Sequence, residues 1–350
     1  RPTVFSIGGY SFKNCQKLEK IDLPDQIITI NENTFYNCIS LKELILPKNL
    51  QFLKWQFISG CTGIKNITIP NSVKKVWYSG SNWPFTGSFI QTVIFEDGIT
   101  FSLPHAFYKV TTLQKVIFPE SMTLIQRYSF YGCTSLTQIN IPNNVSTIEE
   151  YAFYGCTSLT QLNIPNNVSN IDQYAFAASG LTSLILPNIL LSLSNNLLCQ
   201  CFSLSLVIIS ENITEIGRSA FYSCNNLDQI CFNQTYKNYS GINLPNSLKS
   251  IGEYAFSLTS ITTINITDKV SQISSYMFQN CSKLIEVNLS QNIKTIMRYS
   301  FNNCIALKKI KTYDLITTIE DYAFQNCQSL SRIDLFSDVS SIASNSLPKC

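Results

Sequence analysis

The chain has 350 residues, of which 45% are hydrophobic and 13% are charged, and its formal net charge is +3. The hydrophobic share is ample for a buried core, while the near balance of 25 basic and 22 acidic residues predicts no strong attraction to nucleic acid or to an anionic membrane. No apolar run approaches the roughly 18 residues that span a bilayer. A single histidine, His105, argues against histidine-based catalysis and histidine-rich metal sites.

A repeat of 22 or 23 residues organises the chain. It is clearest from Leu136 to Ser158, which reads LTQINIPNNVSTIEEYAFYGCTS, and the next copy begins at Leu159. The phenylalanine of the AF or SF step aligns the copies. Two intervals are longer, 28 residues from Phe57 to Phe85 and 35 residues from Phe221 to Phe256. Self-similarity at such a period is the signature of a solenoid.

Each copy predicts a strand, a turn and a second buried segment. Ile139 and Ile141 alternate at strand spacing, and Pro142 ends the strand because it has no amide hydrogen to donate. After a turn at 143–144, the inward side chains are expected to be Val145, Ile148, Ala152 and Phe153.

One such unit cannot bury its apolar face alone, so the copies are expected to stack with parallel strands about 4.8 Å apart. We expect a single solenoid over residues 1–350, with about fourteen coils and a length on the order of 65 Å. Irregular or inserted coils are expected near 76–90 and 231–243.

The recurring order L-x-x-I-x-I-P-x-x-V-x-x-I-x-x-Y-A-F-x-x-C-x-S resembles the BspA-like class of leucine-rich repeats over essentially all of residues 1–350. The resemblance implies a leucine-rich-repeat solenoid of the α/β repeat class, dominated by strands with short turns and 3-10 segments, and a parallel sheet on one face. Proteins of this class include surface adhesins of oral bacteria and of anaerobic protozoan parasites. The resemblance therefore implies attachment to host cells or to matrix proteins such as fibronectin and fibrinogen.

The cysteines follow the repeat. Eleven of the thirteen lie at the position three residues after the phenylalanine or one residue off it, and Val110 takes that position in one copy. Stacked cysteines would point the same way, which keeps their Cβ atoms farther apart than a disulfide requires, and a line of thiols does not surround a metal. We expect buried small hydrophobes, with occasional disulfides as the alternative. Cys231 falls at an outward strand position and is expected to be exposed, either inert or reactive.

The sequence offers no basis for a reaction: it has no histidine dyad, no glycine-rich phosphate loop and no recurring pair of carboxylates. We therefore expect no catalytic residues, no cofactor and no metal site, and we interpret His105, at the tyrosine position of its copy, as structural. A non-enzymatic protein-binding function remains, with binding surfaces of two kinds.

The outward positions of the strands are the first candidate surface. One column contains Ile45, Ile94, Ile117, Ile185 and Ile208 among polar residues. Exposed apolar area can mark an interaction site, while the alternative is that β-branched residues are tolerated for their strand propensity. The candidate contacts are Ile94, Ile117, Gln138, Asn140, Gln161, Asn163, Ile185, Leu206 and Ile208. A basic cluster, which suits an acidic partner or is simply solvated, comprises Lys308, Lys309, Lys311 and Arg332.

The two insertions are the second candidate surface. The first, VWYSGSNWPF, carries Trp77, Tyr78 and Trp83, and loops rich in such side chains commonly bind partners. The alternative is that these aromatic rings fill the gap in an irregular coil. The second, FNQTYKNYSG, is polar and contributes Tyr236 and Tyr239.

Nine N-x-S/T patterns are candidate glycosylation sites, although a chain rich in asparagine, serine and threonine produces chance matches: Asn66, Asn144, Asn167, Asn212, Asn233, Asn238, Asn265, Asn280 and Asn288. The chain opens at Arg1 and ends at Cys350, and we expect both ends to be cut within a repeat, with any membrane anchor outside this fragment. The expected function is that of a cell-surface or secreted adhesin that binds a host protein. The alternative is an intracellular protein-interaction scaffold.

Overall fold

The computed structural model describes residues 4–232, 241–312, 315–333, 339–343 and 345–347. The chain is a parallel-strand solenoid of about fourteen coils, which confirms the predicted fold class. Within the described ranges there is no helix, and hence none of the length and hydropathy needed to cross a bilayer. The chain divides into two compact units, Arg1–Asn170 and Ile171–Cys350. A single domain over residues 1–350 stays a prediction.

In the first unit, two rows of short strands run along the stacked coils. The first row corresponds to the predicted LxxIxI strands and has the order β4-β6-β7-β9: β4 (Asn66–Ile69), β6 (Thr92–Phe95), β7 (Lys115–Ile117) and β9 (Gln138–Ile139). The second row follows the proline turn and forms two sheets: β1 (Ser6–Ile7), β2 (Thr29–Ile30), β3 (Phe52–Leu53) and β5 (Lys75–Val76), then β8 (Leu124–Ile125), β10 (Thr147–Ile148) and β11 (Asn170–Ile171).

The second unit repeats this plan. Its first row is one eight-stranded parallel sheet: β12 (Ser183–Ile185), β14 (Leu206–Ile209), β16 (Gln229–Phe232), β17 (Gly241–Asn243), β19 (Thr263–Asn265), β21 (Glu286–Asn288), β23 (Lys309–Lys311) and β25 (Arg332–Ile333). Its second row comprises β13 (Ser192–Leu193), β15 (Glu215–Ile216) and β18 (Ser250–Ile251), then β20 (Gln272–Ile273), β22 (Thr295–Ile296), β24 (Thr318–Ile319) and β26 (Ser341–Ile342).

The predicted inward side chains form the core. Val145, Ile148, Ala152 and Phe153 are all fully buried. The phenylalanine rings stack from coil to coil, and the Phe130 ring lies 5.5 Å from that of Phe153 with an angle of 10° between their planes. Burying each such side chain contributes about 2–3 kcal/mol, so the column of rings is a main source of stability.

The segment around the phenylalanine is a run of turns rather than the 3-10 segments that the resemblance implied. Its backbone also forms hydrogen bonds between neighbouring coils. The Phe130 amide donates to the Ala152 carbonyl at 3.0 Å, and the Gly132 amide donates to the Tyr154 carbonyl at 2.7 Å. Gly132 has a φ of 68°. Glycine or asparagine occupies this position in most copies because both adopt the left-handed region at low cost, although Ala178 and Leu258 also have a positive φ there.

Among the described residues, the repeated cysteines from Cys38 to Cys327 are buried, as expected, and each also makes a hydrogen bond, whereas Cys15 is exposed. The Cys156 thiol donates to the Phe130 carbonyl of the preceding coil at 3.3 Å, and Cys304 donates to Phe278 at 3.1 Å. In one coil without the cysteine, Ser179 takes its place, and its hydroxyl lies 3.4 Å from the Sγ of Cys201 in the next coil. The side chain therefore serves as a filler and as a link between coils.

The prediction that Cys231 is exposed is wrong: the residue is buried, with 7% of its surface exposed. It pairs in register with Ile208, which is also buried, at 5% exposure. Strand alternation predicts the side of the sheet on which a residue lies, and it cannot predict what packs over that side. This is why two outward positions were wrongly expected to be exposed.

Candidate functional site

The first row of the first unit presents a continuous outward surface. Thr68 pairs with Ile94, and Ile94 pairs with Ile117, as the predicted column requires. Ile117 is exposed, whereas Ile94 is half-buried. Of the polar candidates, Gln138, Asn140, Gln161 and Asn163 are all exposed. The row is therefore a polar surface with isolated apolar contacts.

An open cavity of about 600 Å³ lies on this surface. Ile45, one of its lining residues, is the most exposed large apolar side chain of the unit, at 65%. Charged side chains surround it, and Lys42 pairs with Glu19 at 3.3 Å. The alternation in ELILP places Ile45 in the outward column, so the sequence contained the signal for this residue although it was not chosen as a candidate. An apolar centre with a polar rim is the usual composition of a protein interface.

In the second unit the predicted apolar patch is smaller than expected. Ile185 pairs in register with Ile208, but only Ile185 is exposed, at 49%, because Ile208 is buried and Leu206 is half-buried. Farther along the same row, Asn265 pairs with Asn288, and the Asn288 amide donates to the Asn265 side-chain oxygen at 2.8 Å. The apolar part of this row is therefore confined to its beginning.

The basic cluster is partly neutralised. Lys309 forms an ion pair with Glu286 at 3.1 Å, and it lies in register with Arg332 of the next strand. Lys308 and Lys311 are exposed on either side of Ile310. An exposed ion pair contributes little stability, so this cluster offers a mixed rather than a purely basic surface.

The first insertion forms a tight turn. The Ser79 and Asn82 backbones exchange two hydrogen bonds, of 3.1 and 3.0 Å, around Gly80, whose φ is 57°. Trp77 and Tyr78 are exposed on the approach to this turn, at 43% and 59%. The ammonium group of Lys75 lies 3.9 Å from the centre of the Trp77 ring. These two aromatic side chains are accessible to a partner.

Trp83 is different, because only 8% of its surface is exposed. Its ring stacks 4.2 Å from Tyr78 and 3.9 Å from His105, and His105 stacks 4.4 Å from Tyr128. The alternative of aromatic filler therefore describes Trp83. The sequence contains the signal, since both Trp83 and His105 stand two residues before a core phenylalanine, at the tyrosine position of the repeat. The stack continues into the next coil, where the Tyr128 and Tyr151 rings are stacked with their centres 4.7 Å apart.

The remaining candidates are distributed as follows. Tyr236, Tyr239, Asn233 and Asn238 lie outside the described residues. Among the other glycosylation candidates, Asn66, Asn144, Asn167, Asn212 and Asn265 are exposed, whereas Asn280 and Asn288 are half-buried. The amides of Asn144 and Asn167 donate to carbonyl groups of the preceding coil at 2.7 and 2.8 Å.

The strongest pKa shifts belong to structural groups. Burial raises the pKa of the Cys61 and Cys156 thiols to about 12. Burial, followed by the charge of Arg127, lowers the pKa of His105 to about 4. These shifts keep the groups neutral inside stacks. The arrangement suits a rigid scaffold that presents surfaces to a partner.

Comparison with known proteins agrees with this description. A family model described as BspA type leucine rich repeat region matches residues 2–102, 100–228 and 225–350. A search of curated proteins found no match. A solved leucine-rich-repeat protein from Bacteroides ovatus is 25% identical, with a TM-score of 0.67, and the match covers 88% of this chain and 82% of that chain.

Two further solved structures share the fold. A leucine-rich cell surface protein from Faecalibacterium prausnitzii is 22% identical with a TM-score of 0.50, and the match covers 83% of this chain and 77% of that chain. A leucine-rich-repeat protein from Eubacterium ventriosum is 20% identical with a TM-score of 0.55, and the match covers 90% of this chain and 81% of that chain.

Proposed function

Because the chain belongs to the BspA-type leucine-rich-repeat family, we propose that it is a non-enzymatic, protein-binding adhesin displayed on a cell surface or secreted. Its partner is a host cell-surface protein or an extracellular-matrix protein. Solenoids of this kind present extended surfaces that bind other proteins, and the resemblance to surface adhesins supports the location.

The observation that carries this proposal is the exposure of apolar side chains on otherwise polar outward rows. Ile45 and Ile117 in the first unit, and Ile185 in the second, are exposed at 65%, 39% and 49%. A strand exposes such residues to water at a cost in free energy that contact with a partner removes. Trp77 and Tyr78 supply accessible aromatic contacts of the type enriched in binding hot spots.

Binding to immobilised fibronectin and fibrinogen, measured by surface plasmon resonance, tests the partner class. Ile185→Arg should weaken binding at least tenfold, because it replaces the exposed apolar contact of the second unit by a charge. Ile189→Arg is the matched control, since Ile189 is 53% exposed but lies in the turn after Pro187, outside the strand row. Equal losses in both variants, or no binding to either matrix protein, would count against the proposal.

The second candidate function is an intracellular scaffold, which would use the same surface. The buried thiols are as compatible with a reducing compartment as with an oxidising one. Antibody labelling of intact cells of the source organism separates the two functions. Labelling before permeabilisation supports the adhesin, and labelling only after permeabilisation supports the scaffold.

A further inference from the structure

In its described residues, the 35-residue coil between Phe221 and Phe256 has two strands of the first row and one of the second. The first row runs β16-β17-β19, whereas β18 is the one second-row strand that this coil supplies in the described residues. Gly241 allows the extra strand to fit. Its φ is 99°, and a Cβ atom at this position would collide with the Thr263 side chain. The glycine therefore permits close packing of β17 against β19.

A cavity of about 420 Å³ lies beside the added strand. Its apolar lining is formed by Leu244 and Ile266, which are buried, together with the half-buried ring of Phe232. Its volume falls within the range of pockets that take a small molecule. The polar lining comes from Asn243, Asn246, Asn265, Thr267 and Asp268.

The hydrogen-bonding groups of the cavity have defined roles. Asn243 pairs in register with Asn265, so their amides lie on neighbouring strands. The Asn265 oxygen already accepts from Asn288, which fixes the amide and leaves its nitrogen as the group that can donate to a ligand. The Asp268 carboxylate is an acceptor at the same cavity. Amide donors and a carboxylate acceptor therefore line the cavity together with apolar side chains.

This composition discriminates among ligand classes. An apolar ligand would leave the amides and the carboxylate without partners, which costs binding free energy. An anion would meet Asp268 with no cationic side chain among the described lining residues. A calcium ion takes six to eight oxygen ligands and favours several carboxylates, whereas the described lining residues include one. A sugar fits, since its hydroxyl groups both donate and accept and its C–H faces pack on apolar surface.

We propose that this cavity binds a neutral saccharide unit, such as a hexose of a glycan chain. Asn243 and Asn265 donate to sugar oxygens, Asp268 accepts from a sugar hydroxyl, and the sugar ring packs on the apolar lining of the cavity. The site is separate from the outward apolar contacts at Ile185, so its occupation does not require the adhesin function.

Isothermal titration of the full chain, produced in a host that does not glycosylate Asn265, tests the proposal. The ligands are glucose, galactose, mannose, N-acetylglucosamine and N-acetylneuraminic acid as the anionic control. We expect saturable binding of at least one neutral sugar and at least tenfold weaker binding of N-acetylneuraminic acid. Asn243→Leu and Asp268→Ala should each weaken the neutral sugar about tenfold.

Asp22→Leu is the matched control, because Asp22 occupies the same repeat position in the first unit and is exposed. It should bind the sugar like the unsubstituted chain. If a cavity variant fails to fold, NMR of the unsubstituted chain gives the answer, since bound sugar should shift the side-chain amide signals of Asn243 and Asn265. The proposal is overturned by a lack of saturable binding, by equal affinity in all variants, or by stronger binding of the anionic sugar.

Discussion

The indole ring of Trp83 lies parallel to the imidazole of His105, with ring centroids 3.9 Å apart and an angle of 8° between the planes. His105 stacks on its other face against Tyr128. The protein's single histidine is thus held between two aromatic rings at a position where the next two coils place tyrosine. Its role is to continue a stack of rings.

This environment predicts a pH dependence of stability. The pKa of His105 is lowered to about 4, while an unfolded histidine titrates at about 6.5. Between these pH values the unfolded chain binds more protons than the native one, so the free energy of unfolding falls as the pH falls from 6.5 to 4. Above pH 6.5 His105 is neutral in both states, so it does not make the free energy of unfolding depend on pH.

Substitution of His105 by tyrosine should remove this part of the pH dependence while keeping a stacked ring. We expect the unsubstituted protein to lose about 1 kcal/mol more than His105→Tyr between pH 7 and pH 4.5, a value reduced by the partial exposure of the ring. Urea unfolding at several pH values measures the difference. Parallel pH profiles for the two proteins would contradict the lowered pKa.

The two tryptophans of the first insertion should behave oppositely. Trp83→Ala removes a buried, stacked side chain and should cost about 3 kcal/mol of stability. Trp77→Ala changes an exposed side chain and should alter stability by less than about 0.5 kcal/mol. Thermal unfolding followed by circular dichroism makes the comparison. A large loss of stability in Trp77→Ala would show that this residue also belongs to the packed coil.

The exposed thiol of Cys15 should react faster with an alkylating reagent than the buried thiols of the other repeat cysteines. Cys15 is exposed, whereas the pKa of buried Cys156 is about 12, so at pH 8 only about one ladder thiol in ten thousand is a thiolate. Iodoacetamide at pH 8 should modify Cys15 and spare Cys61, Cys156 and Cys281, as read by peptide mass spectrometry. The same reaction in urea is the control, in which all of them should react. Native modification of Cys156 would refute its predicted inertness.

Gly155 tests the left-handed turn. Its φ is 70°, and a Cβ atom would have ordinary contact distances, of which 3.6 Å to the Gly132 Cα is the shortest. Gly155→Ala should therefore cost about 1–2 kcal/mol through backbone conformation alone. Gly155→Asn should cost less, because asparagine adopts the left-handed region at lower cost than alanine, and Asn303 has a φ of 60° at the equivalent position. Urea unfolding ranks the variants, and equal costs would place the penalty in packing instead.

The periodic parts of the fold were predictable from sequence. The spacing of Phe130 and Phe153 gave the coil length, and the alternation around Ile139 gave the outward row, because both patterns repeat many times. The second strand row was not foreseen. Strands such as β10 have only two residues, which is too short for an alternation to show.

The exposed residues of the candidate site were predictable only where an outward-pointing side chain is not covered by another part of the chain. Ile117 and Ile185 are exposed as expected, while Ile208 and Cys231 are buried despite their outward positions. The extra strand β17 left a signal that was missed, since Ile242-Asn243-Leu244-Pro245 copies the Ile139–Pro142 step of a regular coil. The thiol-to-carbonyl bonds could not be inferred, because they depend on atomic positions between coils.

In the described residues, the added strand β17 lengthens the first row by one strand and leaves the strand count of the second row unchanged. The strands that follow it pair with each other in the regular register in both rows, with Asn265 opposite Asn288 and Gln272 opposite Thr295. The cavity lies beside the added strand, where Asn243 and Leu244 line it. A repeat protein can acquire a pocket in this way without redesigning any neighbouring repeat.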